Sequence, residues 1–511
     1  MEREDWELNQ DFKQDDSQSL GKNDGAVSGD DLENFVDSKT KDEHIKKGAV
    51  DLTTGNPAKK IIMFSLPLLL GNVFQLCYSW TDAIILGNLK GDALLFGALS
   101  ASMPIINLLL TVVLGFLAGS VVVIGQKFGA KDYTSLKRCY STLLIALGVI
   151  TVVISVAGFF LSKPLLRLIN VDSSMIEYSE IYLKYYFAGL VFMVAYNCFS
   201  QVIRSLGNST VPLVALIVCV LLNILLDYAL VFWVGMGIEG VAIATMIAQF
   251  VSALTMFIYV QTKVPLIKLK KGDLILDKRL LKTMLSLGIP STIQNACACV
   301  GYMIINALIN DKGDVFTTAF GLGNRIDELL TQILNSFGMA ITAYSAQNMG
   351  KREIGRVKKG YFYTMTFMTV LLVFIASLIF IFKHEILGVF INLDVQNSNL
   401  DIDRVVEITS IFLNIYLPSY LLIAWMTVSS SLLRGVGAAK LAMSVNMFSF
   451  FVRTVSAFVL DEFFTYGIFF ASPIGWLAGF VWAFAIYLRG KWKEIYIDRH
   501  ERKFKKLIAK K

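Results

Sequence analysis

The chain has 511 residues, 55% of them hydrophobic and 17% charged, and a mean hydropathy of +0.59. That balance excludes an ordinary water-soluble globular protein and makes the lipid bilayer the solvent. The net charge of +7 is unevenly spread: residues 1–50 hold 14 of the 40 acids but only 7 of the 47 bases, so the rest of the chain carries +14.

Taken in chain order, residues 1–50 are polar and acidic, with neither the basic start nor the apolar run of a signal peptide, so a disordered cytoplasmic tail is expected. Beyond them, apolar runs of the roughly 20 residues needed to cross a hydrocarbon core recur twelve times. The predicted spans are 60–86, 93–124, 141–161, 182–205, 210–234, 239–261, 281–309, 315–346, 361–382, 405–431, 439–461 and 464–488. Residues 51–262 would form an N-lobe of helices 1–6, residues 263–280 a basic cytoplasmic linker, residues 281–490 a C-lobe of helices 7–12, and residues 491–511 a basic cytoplasmic tail. The six cysteines, Cys77, Cys139, Cys198, Cys219, Cys297 and Cys299, show no metal spacing and read as packing residues.

Bases cluster in alternate loops: Lys127, Lys131, Lys137 and Arg138; Lys263, Lys268, Lys270 and Lys271; Lys351, Arg352, Arg356, Lys358 and Lys359; then the tail. The intervening loops carry acids such as Asp172, Glu177, Asp314, Asp401 and Asp461. By the positive-inside rule both termini are cytoplasmic, as an even helix count requires. The basic tail, with Lys491, Lys493, Arg499, Arg502 and Lys503, suits anionic lipid headgroups beside a membrane helix better than nucleic acid.

The chain repeats itself. Residues 126–140, QKFGAKDYTSLKRCY, align with residues 347–361, QNMGKREIGRVKKGY, pairing Gln126 with Gln347, Gly129 with Gly350, Lys137 with Lys358 and Tyr140 with Tyr361. At nearly the same shift Pro67 matches Pro290, Gly91-Asp92 matches Gly313-Asp314, and Arg204-x-x-Gly207 matches Arg434-x-x-Gly437. Six is even, so both halves enter from the same side. The expected fold is therefore an all-α integral membrane protein of twelve transmembrane helices in two six-helix bundles related by a pseudo-two-fold axis along the membrane normal. Such bundles suit alternating access; a receptor or a channel would need neither the duplication nor the one-sided acids described next.

Charged residues in mid-span are costly and normally face a cavity or a partner. In the fifth span Asn223 and Asp227 share one helical face. Counting from the connecting turns places Asn197 level with Asn223, and Thr245 level with Asp227, with Asp82 in the outer half of the first span. Two carboxylates, two amides and a hydroxyl at matching depth form an oxygen-rich set suited to a proton or a small hard cation such as sodium. The second half departs from the pattern: Ile305, Arg453 and Ala457 stand at the positions of Asp82, Asn223 and Asp227. Its eighth span instead carries Arg325, Asp327 and Glu328 near mid-membrane, which are candidates for lining a substrate cavity, with an Arg325–Glu328 structural pair as the alternative.

The segment SLPLLLGNVFQLCYSWTDAIILGNLKG followed by GQKFGAKD resembles the multidrug and toxic compound extrusion (MATE) family, over about residues 57–490. The likeness rests on Pro67, the Asp82 segment, Gln126-x-x-Gly129-Ala130, Asn197-x-x-x-Gln201-x-x-Arg204-x-x-Gly207, Asn223-x-x-x-Asp227 and the stretch from Gly240 to Thr245. The resemblance implies no enzyme and no cofactor, but ion-coupled efflux of organic, often cationic, small molecules across the cell membrane in exchange for H+ or Na+. It also implies a first-half cation site at Asp82, Asn197, Asn223, Asp227 and Thr245. Other branches of the family place a glutamate in the seventh helix, where this chain offers only Gln294, a further candidate for lining the substrate cavity. A monomer is expected. The competing reading is a lipid-linked saccharide flippase of the same superfamily, whose basic cavities contrast with the acids here.

Overall fold

The computed structural model describes residues 48–89, 93–394, 401–490 and 492–493. The acidic segment 1–47 and most of the basic tail lie outside the described residues, as do the side chains of residues 77–96, Asp82 and Cys77 among them.

Among the described residues the chain forms thirteen α-helices and no strand. The first half holds α1 (Pro57–Leu89), α2 (Ala93–Gly129), α3 (Tyr133–Leu168), α4 (Ile176–Ser205), α5 (Thr210–Tyr228) and α6 (Ile238–Lys263). The second holds α7 (Lys278–Asn310), α8 (Asp314–Gly350), α9 (Ile354–Ile381), a short α10 (Lys383–Asp394), α11 (Ile402–Gly435), α12 (Ala439–Phe463) and α13 (Ile468–Arg489). All but α10 correspond to the twelve predicted spans. Most run several residues beyond them, because caps and not the bilayer edge decide where a helix stops. Asp132 starts α3 by accepting from the Ser135 amide at 3.1 Å, and Asp277 starts α7 by accepting from Arg279 and Leu280. Partial burial alone would raise the Asp132 carboxyl; hydrogen bonds from Lys127 and Ser135 outweigh it and hold the group at about 2.

Of the twelve long helices, eleven are apolar enough to cross a membrane. The exception is α8, which carries Arg325, Asp327 and Glu328 in one half and Gln332, Asn335 and Thr342 in the other. Its low hydropathy has a structural cause, since Gln332, Asn335 and Thr342 face a cavity and not lipid. Large apolar side chains such as Leu168, Trp233 and Phe463 are exposed on the outside of the bundle, where lipid tails would meet them.

The pairings of the first half recur in the second. Helix α4 packs on α2, α3 and α6 as α11 packs on α8, α9 and α13; α5 packs on α6 as α12 packs on α13. Across the middle, α2 lies on α7 and its counterpart α8 lies on α1. Each half has its own apolar core, and a third, small core of Leu52, Ile61, Phe64, Leu68 and Ile341 joins α1 to α8.

The halves also meet closely at the end of the bundle that carries the basic loops. A Cβ at Gly129 would lie 1.9 Å from the Gln347 carbonyl, and one at Gly350 would lie 2.1 Å from the Gln126 carbonyl, so only glycine permits either approach. The glutamines complete the symmetry: Gln126 donates to the Gly435 carbonyl at 3.2 Å, and Gln347 donates to the matching Ser205 carbonyl at 2.9 Å. Residues 48–56 lie across the same end. Val50 donates to the Leu206 carbonyl in the first half, while Leu52 donates to Gln347 and Arg356 donates to the Gly55 carbonyl from the second.

Candidate functional site

Two polar regions stand out, one between the halves and one inside the first. Between them lies a cavity of about 360 Å³ on the pseudo-two-fold axis. Its lining is made largely of matched positions: Asn72 with Asn295, Leu114 with Asn335, Arg204 with Arg434. Helices α4 and α11 deliver the two arginines in their last turns. Each helix then ends at a glycine of positive φ, Gly207 at 84° and Gly437 at 89°, whose amide donates back to the carbonyl of that arginine at 2.9 Å. The Arg-x-x-Gly repeat is thus a helix ending that sets a guanidinium at the cavity floor.

Inside the first half, Asn223 and Asp227 are fully buried, at 0% exposure, one turn apart on α5. The Asn223 amide donates to the Thr245 hydroxyl of α6 at 3.5 Å, which brings together two side chains matched beforehand only by depth. Just past Asp227 the helix widens into a π turn over Ala229–Trp233, a distortion common at functional sites. Asn197 turns to its own helix, donating to the Met193 carbonyl at 2.9 Å. Asp82 lies on α1, its side chain outside the described residues. One residue unremarked in the sequence belongs nearby: Gln249, a turn beyond Thr245 on α6, lines a small cavity with it and keeps a buried Oε1 without a hydrogen bond.

In the second half, Arg325, Asp327 and Glu328 do not line the central cavity. They line a separate pocket of about 710 Å³ between α7 and α8, with Tyr302 and Asn306. Asp327 accepts a short hydrogen bond from Tyr420 of α11 and lies within electrostatic range of Arg453. The repeat position that holds Asn223 in one half therefore supplies a permanent cation in the other. Gln294 is likewise not among the residues that face the central cavity; its neighbour Asn295 is, because one residue is a 100° turn on a helix. Nor do acids line that cavity. Its charged residues, among those described, are Arg204 and Arg434, and the contrast with a basic flippase cavity expected from the sequence does not hold there.

A duplicated bundle of membrane-spanning helices with a cavity on its axis defines a two-lobed membrane transporter. The MatE family model matches residues 67–229 and 290–459, one stretch in each half. The chain belongs to that family of MATE transporters. It is similar to the probable multidrug resistance protein YoeA of Bacillus subtilis, 29% identical over 461 residues that span 86% of this chain and 95% of that one. It is also similar to the probable multidrug resistance protein YpnP of the same organism, 32% identical across 61% of this chain and 68% of YpnP. Among solved structures, an outward-facing multidrug resistance MATE family transporter of the MOP superfamily superposes with a TM-score of 0.79. That likeness covers 88% of this chain and 98% of the other at 19% identity, and it speaks to fold.

Proposed function

We propose that the chain is a secondary active efflux antiporter that exports organic compounds, many of them cationic, in exchange for inward H+ or Na+. The observation that carries this reading is the axial cavity between two pseudo-equivalent halves, closed at one end by helix contacts that a rocking motion can undo. The names of the multidrug relatives support the substrate class.

In this reading Asp82 and Asp227 take up the ion, with Asn197, Asn223 and Thr245 as oxygen donors around it. Burial of Asp227 makes its charge expensive without a bound cation or proton, so ion binding and helix packing are coupled. Each inward elementary charge contributes about 2.3 kcal/mol per 100 mV. Organic cations would meet carboxylates at the pocket of Asp327 and Glu328. The protein would sit in the cell membrane as a monomer, both termini cytoplasmic, its C-terminal tail on anionic lipid.

The test is dye transport by reconstituted vesicles under an H+ gradient alone and an Na+ gradient alone. One gradient should drive uptake, and Asp82→Asn and Asp227→Asn should each reduce the driven rate at least tenfold. Normal rates in both variants would remove the assigned coupling site. The flippase reading draws on the arginines of the cavity; scrambling of a labelled lipid-linked saccharide without dye transport would select it.

A further inference from the structure

The two arginines are not explained by ion coupling in the first half. Arg204 and Arg434 approach the cavity from matched positions in the two halves, and the Nε of each is buried without a hydrogen-bond partner among the described residues. Arg434 donates one further bond, from Nη2 to the Ser431 hydroxyl at 2.8 Å. A guanidinium offers five N–H donors in a planar fork that matches a carboxylate or phosphate, and both arginines are half-buried, with Nε covered and the side chain lining the cavity. The same cavity is lined by the matched amides of Asn72, which donates to the Ser336 hydroxyl at 3.0 Å, and Asn295, while Leu68, Leu114 and Met339 supply apolar wall.

We propose that the floor of the axial cavity is a subsite for the carboxylate, or an equivalent oxyanion, of an amphipathic organic substrate. Arg204 and Arg434 grip the anionic group from opposite sides of the axis, and the apolar wall takes the body of the molecule. The inference rests on the efflux reading and adds a substrate class to it: organic anions and zwitterions beside cations. Because the arginines come from different halves, a group held between them also bridges the two bodies that must move.

Rhodamine B and its ethyl ester differ in one free carboxylate and make a matched pair of probes. Anisotropy titration of the full chain in detergent should show the acid binding at least tenfold more tightly than the ester. Arg204→Gln and Arg434→Gln should each abolish most of that preference and leave the ester within twofold, with Arg434→Lys retaining part. In vesicles the same Gln variants should raise KM for rhodamine B and not for the ester. Equal binding of the two probes by the unaltered chain, a comparison independent of any variant's folding, would overturn the subsite. So would equal loss of both probes in Gln variants that keep their thermal stability. Carboxylate-selective binding without transport of either probe would sink the efflux reading and leave the subsite standing; transport of both with equal affinity would do the reverse.

Discussion

Asp132 shows how a single side chain can serve two elements. It caps α3 through Ser135 and holds Lys127, at 2.8 Å, at the end of α2. Replacing it with alanine should cost about 1 kcal/mol, the usual worth of an N-cap, seen as a lowered midpoint in a melt of the purified protein. Its depressed carboxyl sets the sign of a pH effect. A group lowered in the folded state stabilises fully above its unfolded value of about 3.9 and loses that contribution as pH falls through about 2. The wild-type advantage over Asp132→Ala should thus be constant near neutrality and shrink between those two values. Among the polar residues in the spans, Asn223 and Thr245 could be matched from hairpin depth alone, because rise per residue is constant along a helix. Azimuth is another matter. Gln294 and Asn295 differ by one position, and only packing shows which faces the cavity.

At the scale of elements, hydropathy located all twelve long helices, since a bilayer demands a minimum apolar length and each helix satisfies its own backbone. The place where hydropathy is weakest, α8, is where the helix faces the cavity, so the weakness itself is functional information. The contact between α2 and α7 was not legible, because it depends on small residues meeting across the halves. A Cβ at Gly119 would fall 2.4 Å from the Met284 carbonyl and the Gly288 amide of α7, both backbone groups that cannot swing away. Gly119→Ala should therefore part the two helices, at a cost of about 1–3 kcal/mol typical of overpacking. Faster labelling of a cysteine placed at Ala118, in the cavity wall, would report the opening; unchanged labelling and an unchanged melt would show that the contact yields without strain.

For the molecule as a whole, the proposed alternating access would require the contact around Gln126 and Gln347 to break in each cycle. A Cβ at Gly125 would lie 3.1 Å from the Ala346 Cβ, a few tenths of an ångström short of the roughly 3.5–4.5 Å found in disulfides, so a small parting of α2 from α8 admits one. In a chain with its native cysteines replaced, the pair Gly125→Cys and Ala346→Cys should oxidise readily, stop dye transport and release it on reduction. Transport that continues in the oxidised protein would mean that the halves do not separate there.

The internal repeat also carried more than the duplication it announced. Several residues identical in both halves, Gln126 and Gln347, Gly129 and Gly350, Arg204 and Arg434, lie where each copy meets the other half or the shared cavity, whereas Tyr140 and Tyr361 lie in the separate cores. Asn223 and Arg453 differ and lie each inside its own half, while Leu114 and Asn335 differ within the shared cavity. Helix number follows from patterns local to the chain, because bilayer thickness and helical rise constrain it without reference to distant residues, and the two-fold plan and the one-sidedness of the acids follow from comparing the two copies of the repeat. The floor of two arginines, the tie of Asp327 to Tyr420 and the strap of residues 48–56 across both halves join positions 93 to 301 residues apart. No local periodicity encodes such pairings; they exist only once the helices have packed and fixed which way each one faces.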